Sequence, residues 1–252
     1  MAAPLPRRIQ LKLEQTLSQW RRWQCDPPLK HTPSVVKMLA GGIGNYSVLV
    51  ESGQLFVIRI DGLNPAGAGL NRQAEWRALA DAHGAGLAPR PRYFNPDLGS
   101  LVCDYLAHDA EQPVCTRDIA VLMRAIHQLP ARHHRLDLAE RIRCYETQLQ
   151  HRRDDAGGDL PRYGDRVLQL LQDTDRELAA PVLCHNDLLR ANRLYSGGRL
   201  WALDWEYCAM GSALYDLAVV IHGDALSTTE SDALLESYLG RPPGQEERAS
   251  VH

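Results

Sequence analysis

Leu183-Cys184-His185-Asn186-Asp187-Leu188-Leu189-Arg190-Ala191-Asn192 carries the spacing His-x-Asp-x-x-x-x-Asn, and twelve residues beyond Asn192 comes Asp204, in Leu203-Asp204-Trp205-Glu206. A carboxylate, an amide five positions on and a second carboxylate suit one chemistry, phosphoryl transfer, in which most of the catalysis is positioned charge. One carboxylate accepts the proton of an attacking hydroxyl, which here points to Asp187. A carboxylate and an amide oxygen hold magnesium against phosphate groups, which points to Asp204 and Asn192. Upstream, Gly41-Gly42-Ile43-Gly44-Asn45 offers backbone N–H groups for phosphate, and Arg59 in Phe56-Val57-Ile58-Arg59-Ile60 offers a cation. Each feature alone is weak: a glycine pair is far more often a turn, and Asp204 alone suits a strand-end cap. Their joint order and spacing is the signal.

The flanking sequence divides into two parts. Residues 9–24 have Leu13, Leu17 and Trp20 on one helical face, and Pro27, Pro28 and Pro33 then break the chain. Apolar, β-branched runs predict strands at Ser34–Ala40, Tyr46–Glu51 and Leu55–Ile60, the last two joined by a tight turn at Ser52-Gly53. Asn71 is a candidate N-cap for a helix to Ala82, with Glu75 in its early turns. Strands are expected again at Arg92–Asn95 and Ser100–Leu106. Beyond these, helical patterns cover 117–129, 137–152 and 160–179, the last entered through Asp159 and Pro161. Short strands follow at Val182–Cys184, Arg193–Tyr195 and Leu200–Leu203, the latter two joined by Ser196-Gly197-Gly198. Helices Ala213–His222 and Thr228–Leu239 come last. The expected layout is α+β and two-lobed: an antiparallel β-rich lobe with one helix over 1–106, a mainly helical lobe over 107–240, and a disordered tail over 241–252.

Composition excludes several classes. Of 252 residues, 28 are Lys or Arg and 31 are Asp or Glu, so no global basic field favours nucleic acid. No apolar run approaches the roughly 18 residues of a membrane span, and no apolar segment near Met1 reads as a signal peptide. Six scattered cysteines without a Cys-x-x-Cys pair read as reduced, cytoplasmic thiols, and the ten histidines form no zinc spacing.

With these residues in view, the chain resembles the aminoglycoside phosphotransferase and choline kinase superfamily, relatives of protein kinases, from about Leu39 to Leu239. His185–Asn192 and Asp204-Trp205-Glu206-Tyr207 carry the specific part. Phe56-Val57-Ile58-Arg59-Ile60 followed by Asn71-Arg72-Gln73-Ala74-Glu75 is similar to bacterial choline and thiamine kinases. The resemblance implies a protein-kinase-like fold, ATP as co-substrate, Mg²⁺ as cofactor and a small alcohol as acceptor. It implies Asp187 as base and Asn192 and Asp204 as metal ligands. Nucleotide would meet Gly41, Gly42, Gly44, Asn45 and Arg59, with Glu75 holding Arg59, and would meet backbone at a hinge spanning Asp104 to Leu106. His185 and Asp216 are expected to be structural, and Glu206 to serve metal or substrate or lie exposed.

Two departures stand out. Gly44 occupies a place where relatives often carry Ser or Thr, and relatives continue past Leu239 with helices that complete the acceptor pocket. Trp201, Trp205, Tyr207 and Tyr215 are the candidate aromatic wall for a cationic acceptor, with core packing as the alternative. The expected substrate is a cationic alcohol of the choline, ethanolamine or thiamine type. An aminoglycoside or sugar kinase, or a catalytically impaired nucleotide-binding module, are the alternatives.

Overall fold

The computed structural model describes residues 5–39, 44–62, 70–109, 114–149, 164–169 and 180–251. Five antiparallel strands form the first sheet: β1 (Ser34–Met38), β2 (Asn45–Glu51), β3 (Leu55–Asp61), β4 (Pro91–Asn95) and β5 (Ser100–Asp104), in the order β1-β2-β3-β5-β4. The β2–β3 turn passes through Gly53 at φ +75°, a left-handed conformation that glycine adopts without steric cost. Register pairs Ser47 with Arg59 and Val48 with Ile58. Phe56, Ile58 and Ile60 therefore share one fully buried face, and Arg59 is on the other.

Helix α1 (Arg7–Ser18) covers the apolar face with Ile9 and Leu13. The helix predicted over 9–24 stops early. Gln19 leaves helical geometry, and Trp20–Arg22 form a 3-10 turn. That break lets Trp20 and Trp23 both reach the core, where Trp23 meets Phe56 edge-on at 5.4 Å.

Helix α2 (Arg72–Gly84) begins at Asn71, whose side chain accepts from Ala74 N. Its Ala78, Leu79 and Ala82 belong to a second, larger core, together with α3 (Thr116–His127) and elements downstream. The larger core thus draws on residues both before and after 106. Helix α4 (Leu138–Leu149) comes next, and residues 164–169 are helical. The expected entry at Asp159 and Pro161 lies outside the described residues.

Strands β6 (Val182–Cys184), β7 (Arg193–Ser196) and β8 (Arg199–Ala202) appear where predicted, and a further strand, β9 (Ala209–Gly211), pairs antiparallel with β6. The β7–β8 turn uses Gly197 and Gly198, both at positive φ. Helices α5 (Ala213–Gly223) and α6 (Thr228–Leu239) follow, the latter opened by a Ser227–Glu230 capping box. The arrangement is the expected α+β one, with a five-stranded antiparallel sheet in the first half and most helices in the second. Among the described residues no helix is long and apolar enough to cross a membrane. All six cysteines are free thiols.

The expectation of a disordered tail is corrected. Residues Gln245–Val251 form helix α7, with Val251 only 1% exposed in the larger core. Ion pairs Arg248–Asp232 and Arg241–Glu247 hold its polar side, and His222 bonds the Val251 carbonyl at 2.7 Å. A single apolar anchor among polar neighbours leaves no periodic signal, which is why composition misleads here. Val251→Ala should lower stability by about 2 kcal/mol through lost burial and the void left behind. Urea unfolding checks this, and a frayed tail would show no change.

Candidate active site

The segment after β6 is held in shape by hydrogen bonds. His185 N and Asn186 N donate to the two carboxylate oxygens of Asp216 at 2.9 and 2.8 Å. Asn186 is left-handed at φ 61°, a conformation that asparagine tolerates better than most residues, and its side chain donates to Tyr207 O at 3.0 Å. His185 is fully buried against Trp205, and burial lowers its pKa to about 4. It is neutral, so Nε2–H donates to the Leu203 carbonyl at 2.9 Å. His185 thereby ties its own segment to the strand end before Asp204.

Asp187 sits half-buried beyond this anchor. Asn192 Nδ2 donates to its Oδ2 at 2.8 Å and to its carbonyl at 2.9 Å. With both amide hydrogens directed at Asp187, the amide oxygen is the atom of Asn192 left to meet a cation. Burial pushes the Asp187 carboxyl up to about 6, the Asp204 and Glu206 charges push the same way, and the Asn192 bond opposes them.

The second half of the site is a buried charge cluster. Arg59 donates to Glu75 at 2.8 Å and to Asp204 at 2.7 Å. Arg72 grips Asp61 with two nitrogens, at 2.6 and 3.1 Å, and also reaches Glu75 at 2.8 Å and Glu206 at 3.0 Å. Asn45 donates to the same Glu206 oxygen at 2.9 Å. Burial disfavours the Glu75 charge, but Arg59 and Arg72 outweigh it and hold its carboxyl below the usual range. Burial also disfavours the Arg59 charge, and Glu75 and Asp204 overcome this. Two guanidinium groups face four carboxylates, so negative charge is in surplus before Asp187 is added. Asp204 is the open end of this surplus, its side chain 32% exposed, at φ 56° ahead of the 3-10 turn Trp205–Tyr207.

The structure thus joins Asn45, Arg59, Glu75 and Asp204 in one cluster with Glu206, and joins Asp187 to Asn192. Gly44 is half-buried, with its carbonyl accepting from Gly62 N at 2.9 Å, while Gly41 and Gly42 lie outside the described residues. Asp104 does not turn to this cluster. Its carboxylate takes Arg92 at 2.6 and 2.8 Å, and Leu106 follows just past β5. Of the aromatic candidates, Trp205 is core, and Trp201 lies beneath the Arg199 guanidinium at 3.9 Å. The Tyr207 ring holds Arg141 at 5.2 Å, and Tyr215 is half-buried. Sequence reasoning missed Arg72 and Asp61. The one available signal was the three-residue spacing from Arg72 to Glu75 on a helix. His127, Cys184 and Asp216 also bring ligand-type atoms within 4.8 Å of one another, but Asp216 accepts from two backbone amides and lies 3.0 Å from His127, while burial keeps Cys184 a thiol.

Residues 35–250 match the model of the Phosphotransferase enzyme family, APH, and the chain belongs to that family. It is 27% identical over 220 residues to Protein LicA of Haemophilus influenzae, covering 82% of this chain and 64% of that one, so it spans less than two thirds of that relative. The fold is similar to that of choline kinase LicA from Streptococcus pneumoniae, with TM-score 0.72 and 23% identity over 86% of this chain and 80% of the other. It is also similar to LicA in complex with AMP, with TM-score 0.77 and 21% identity over 98% and 86%. At these identities the structures establish the fold, a two-lobed protein-kinase-like one.

Removing one member of a buried ion cluster strands its partners, so Glu75→Ala should cost about 3–5 kcal/mol in chemical denaturation. Asp187 behaves oppositely. Its folded pKa lies above the unfolded value of about 3.9, so its contribution to stability is intact below that pH and is lost as pH rises through 6. In metal-free buffer Asp187→Asn should therefore melt above the wild type at pH 8, and the difference should vanish below about pH 4.

Proposed function

We propose that this member of the phosphotransferase enzyme family moves the γ-phosphoryl group of ATP to the hydroxyl of a small cationic alcohol. The observation that carries the reading is the surplus of negative charge at Asp204, Glu206 and Asp187, beside two buried arginines that only partly balance it. In this reading residues 1–106 form the nucleotide-binding lobe and 107–240 the catalytic lobe.

The residues fit a hard divalent cation. Asp204 and the Asn192 amide oxygen are oxygen donors, and the surrounding carboxylate excess favours added positive charge. Magnesium, when bound, neutralises charge on the nucleotide phosphates. Asn192 and Asp204 would hold it.

The chain's own groups do the rest. The acceptor oxygen attacks the γ-phosphorus, the bond from γ-phosphorus to the ADP oxygen breaks, and ADP leaves. The hydroxyl proton passes to the Asp187 carboxylate, which burial and Asp204 make more basic than a surface aspartate. In this reading Arg59 is the phosphate-facing cation, and its bond to Glu75 supports this by fixing the guanidinium. In the same reading the run Gly41–Asn45 would serve phosphate, and backbone between Asp104 and Leu106 would meet adenine. The AMP held by one similar protein supports the nucleotide part of this reading.

The negative surplus at Asp187, Asp204 and Glu206 supports a cationic acceptor, because such a surplus favours added positive charge. The Tyr207 ring beside it already accepts a guanidinium face-on. Choline kinase activity named for one similar protein points the same way.

ATP turnover over a panel of choline, ethanolamine, thiamine, a neutral sugar and an aminoglycoside tests the reading. One of the first three should stimulate it; success of only the sugar overturns the cationic assignment, and success of only the aminoglycoside overturns the small acceptor. With the working acceptor, kcat/KM should fall on the acidic side as Asp187, whose carboxyl burial raises above the usual range, gains its proton. Asp187→Ala should lose about 10²–10⁴ in kcat while still binding nucleotide, and near-normal turnover would remove Asp187 as base.

A further inference from the structure

Helix α5 carries an aspartate at each end, and both reach the segment that holds Asp187. Asp216, in the first turn, takes His185 N and Asn186 N. Asp224, at the C-cap, takes Arg190 N with Oδ1 at 3.0 Å and the Arg193 guanidinium with Oδ2. A carboxylate at a helix C-terminus faces the negative end of the helix dipole, so its position is locally unfavourable and calls for a tertiary reason.

The far end of the segment supplies that reason. Arg190–Asn192 form a 3-10 turn preceded by Leu189, which has no side-chain oxygen to cap it. Arg190 N is the first donor of that turn, and without Asp224 it would have only water as acceptor. Asp224 fills the role from another element. Close approach of α5 to the turn is built in at Gly223, where a Cβ would come within 2.2 Å of Leu189 Cδ2. The Arg193–Asp224 pair is buried, with side chains 2% and 3% exposed; Nη2 makes the contact, and Arg193 Nε and Nη1 have no hydrogen-bond partner among the described residues.

We propose that Asp224 is a positioning residue for the phosphotransfer site: it caps in trans the turn that carries Asn192, and so sets the Asn192 amide against Asp187. The proposal rests on the reading of Asn192 as a metal ligand. Asp216 fixes the segment before Asp187 and Asp224 fixes it after, so one rigid helix gauges the span between base and amide.

The test uses the full chain with Mg²⁺ and ADP as probes. Arg193→Leu with Asp224→Leu removes both charges together and strands neither. Arg193→Leu with Asp224→Asn keeps a side-chain oxygen for Arg190 N–H. The first pair should speed hydrogen exchange at the Arg190 amide and raise the Mg²⁺ needed for half-maximal ADP binding in calorimetry, each by roughly fivefold, the loss typical of a missing cap. The second pair should restore both to near wild type. Wild-type exchange and Mg²⁺ dependence in the first pair, or a lowered melting temperature alone, overturns the proposal, as does equal impairment of the two pairs. If the first pair does not fold, the wild-type chain still decides, because an Arg190 amide exchanging as fast as an open one overturns the cap. If the wild type shows no Mg²⁺-dependent ADP binding, the phosphotransfer reading fails, while exchange at Arg190 still judges the cap.

Discussion

Arg72 is buried, and burying a guanidinium is tolerable only when its hydrogens are met by acceptors and its charge by carboxylates. It meets Asp61 from β3, Glu75 from its own helix and Glu206 from the 3-10 turn beyond Asp204. Three distant stretches of chain are thereby fixed to one planar group. Arg59 repeats the arrangement with Glu75 and Asp204. The sheet, α2 and the Asp204 turn are set relative to one another by this cluster. The apolar cores lie on either side of it and supply stability without dictating how these charges face one another.

The segment from His185 to Arg193 shows a different solution to the same problem. It must present Asp187 and Asn192 while lying between strands too short to constrain it. Its backbone donors are met by carboxylates from α5, and the neutral His185 bridges to Leu203. Left-handed backbone at Asn186 and Asp204 carries a local cost that the surrounding bonds offset. Both residues are of types for which that cost is small.

Much of this was legible in the sequence, because the motifs combine type and spacing. Strand alternation placed Arg59 opposite Ile58 and Ile60, and Asn71 marked the start of α2 by its chemistry. Short or singly anchored elements were not legible. Ala209–Gly211 has three residues and no β-branched one, and it is a strand only because β6 lies beside it. Helix α7 has one apolar anchor. The run 9–24 reads as a continuous helix by spacing, yet turning Trp20 and Trp23 inward requires a break at Gln19. In the site, pairs close in sequence were visible. Arg72–Asp61, Arg72–Glu206 and Arg190–Asp224 join residues whose distance along the chain hides them, and Asp224 on its own reads as an ordinary loop acid.

The placement of α2 has a mechanical consequence. Its small residues Ala78 and Ala82 seat it in the larger core, while Arg72 and Glu75, at its other end, hold side chains of the sheet and of the Asp204 turn. The helix is therefore seated in the larger core at one end and clasped by charge at the other, so a substitution that shifted α2 in its seat would also alter the spacing of Arg59, Asp61, Asp204 and Glu206.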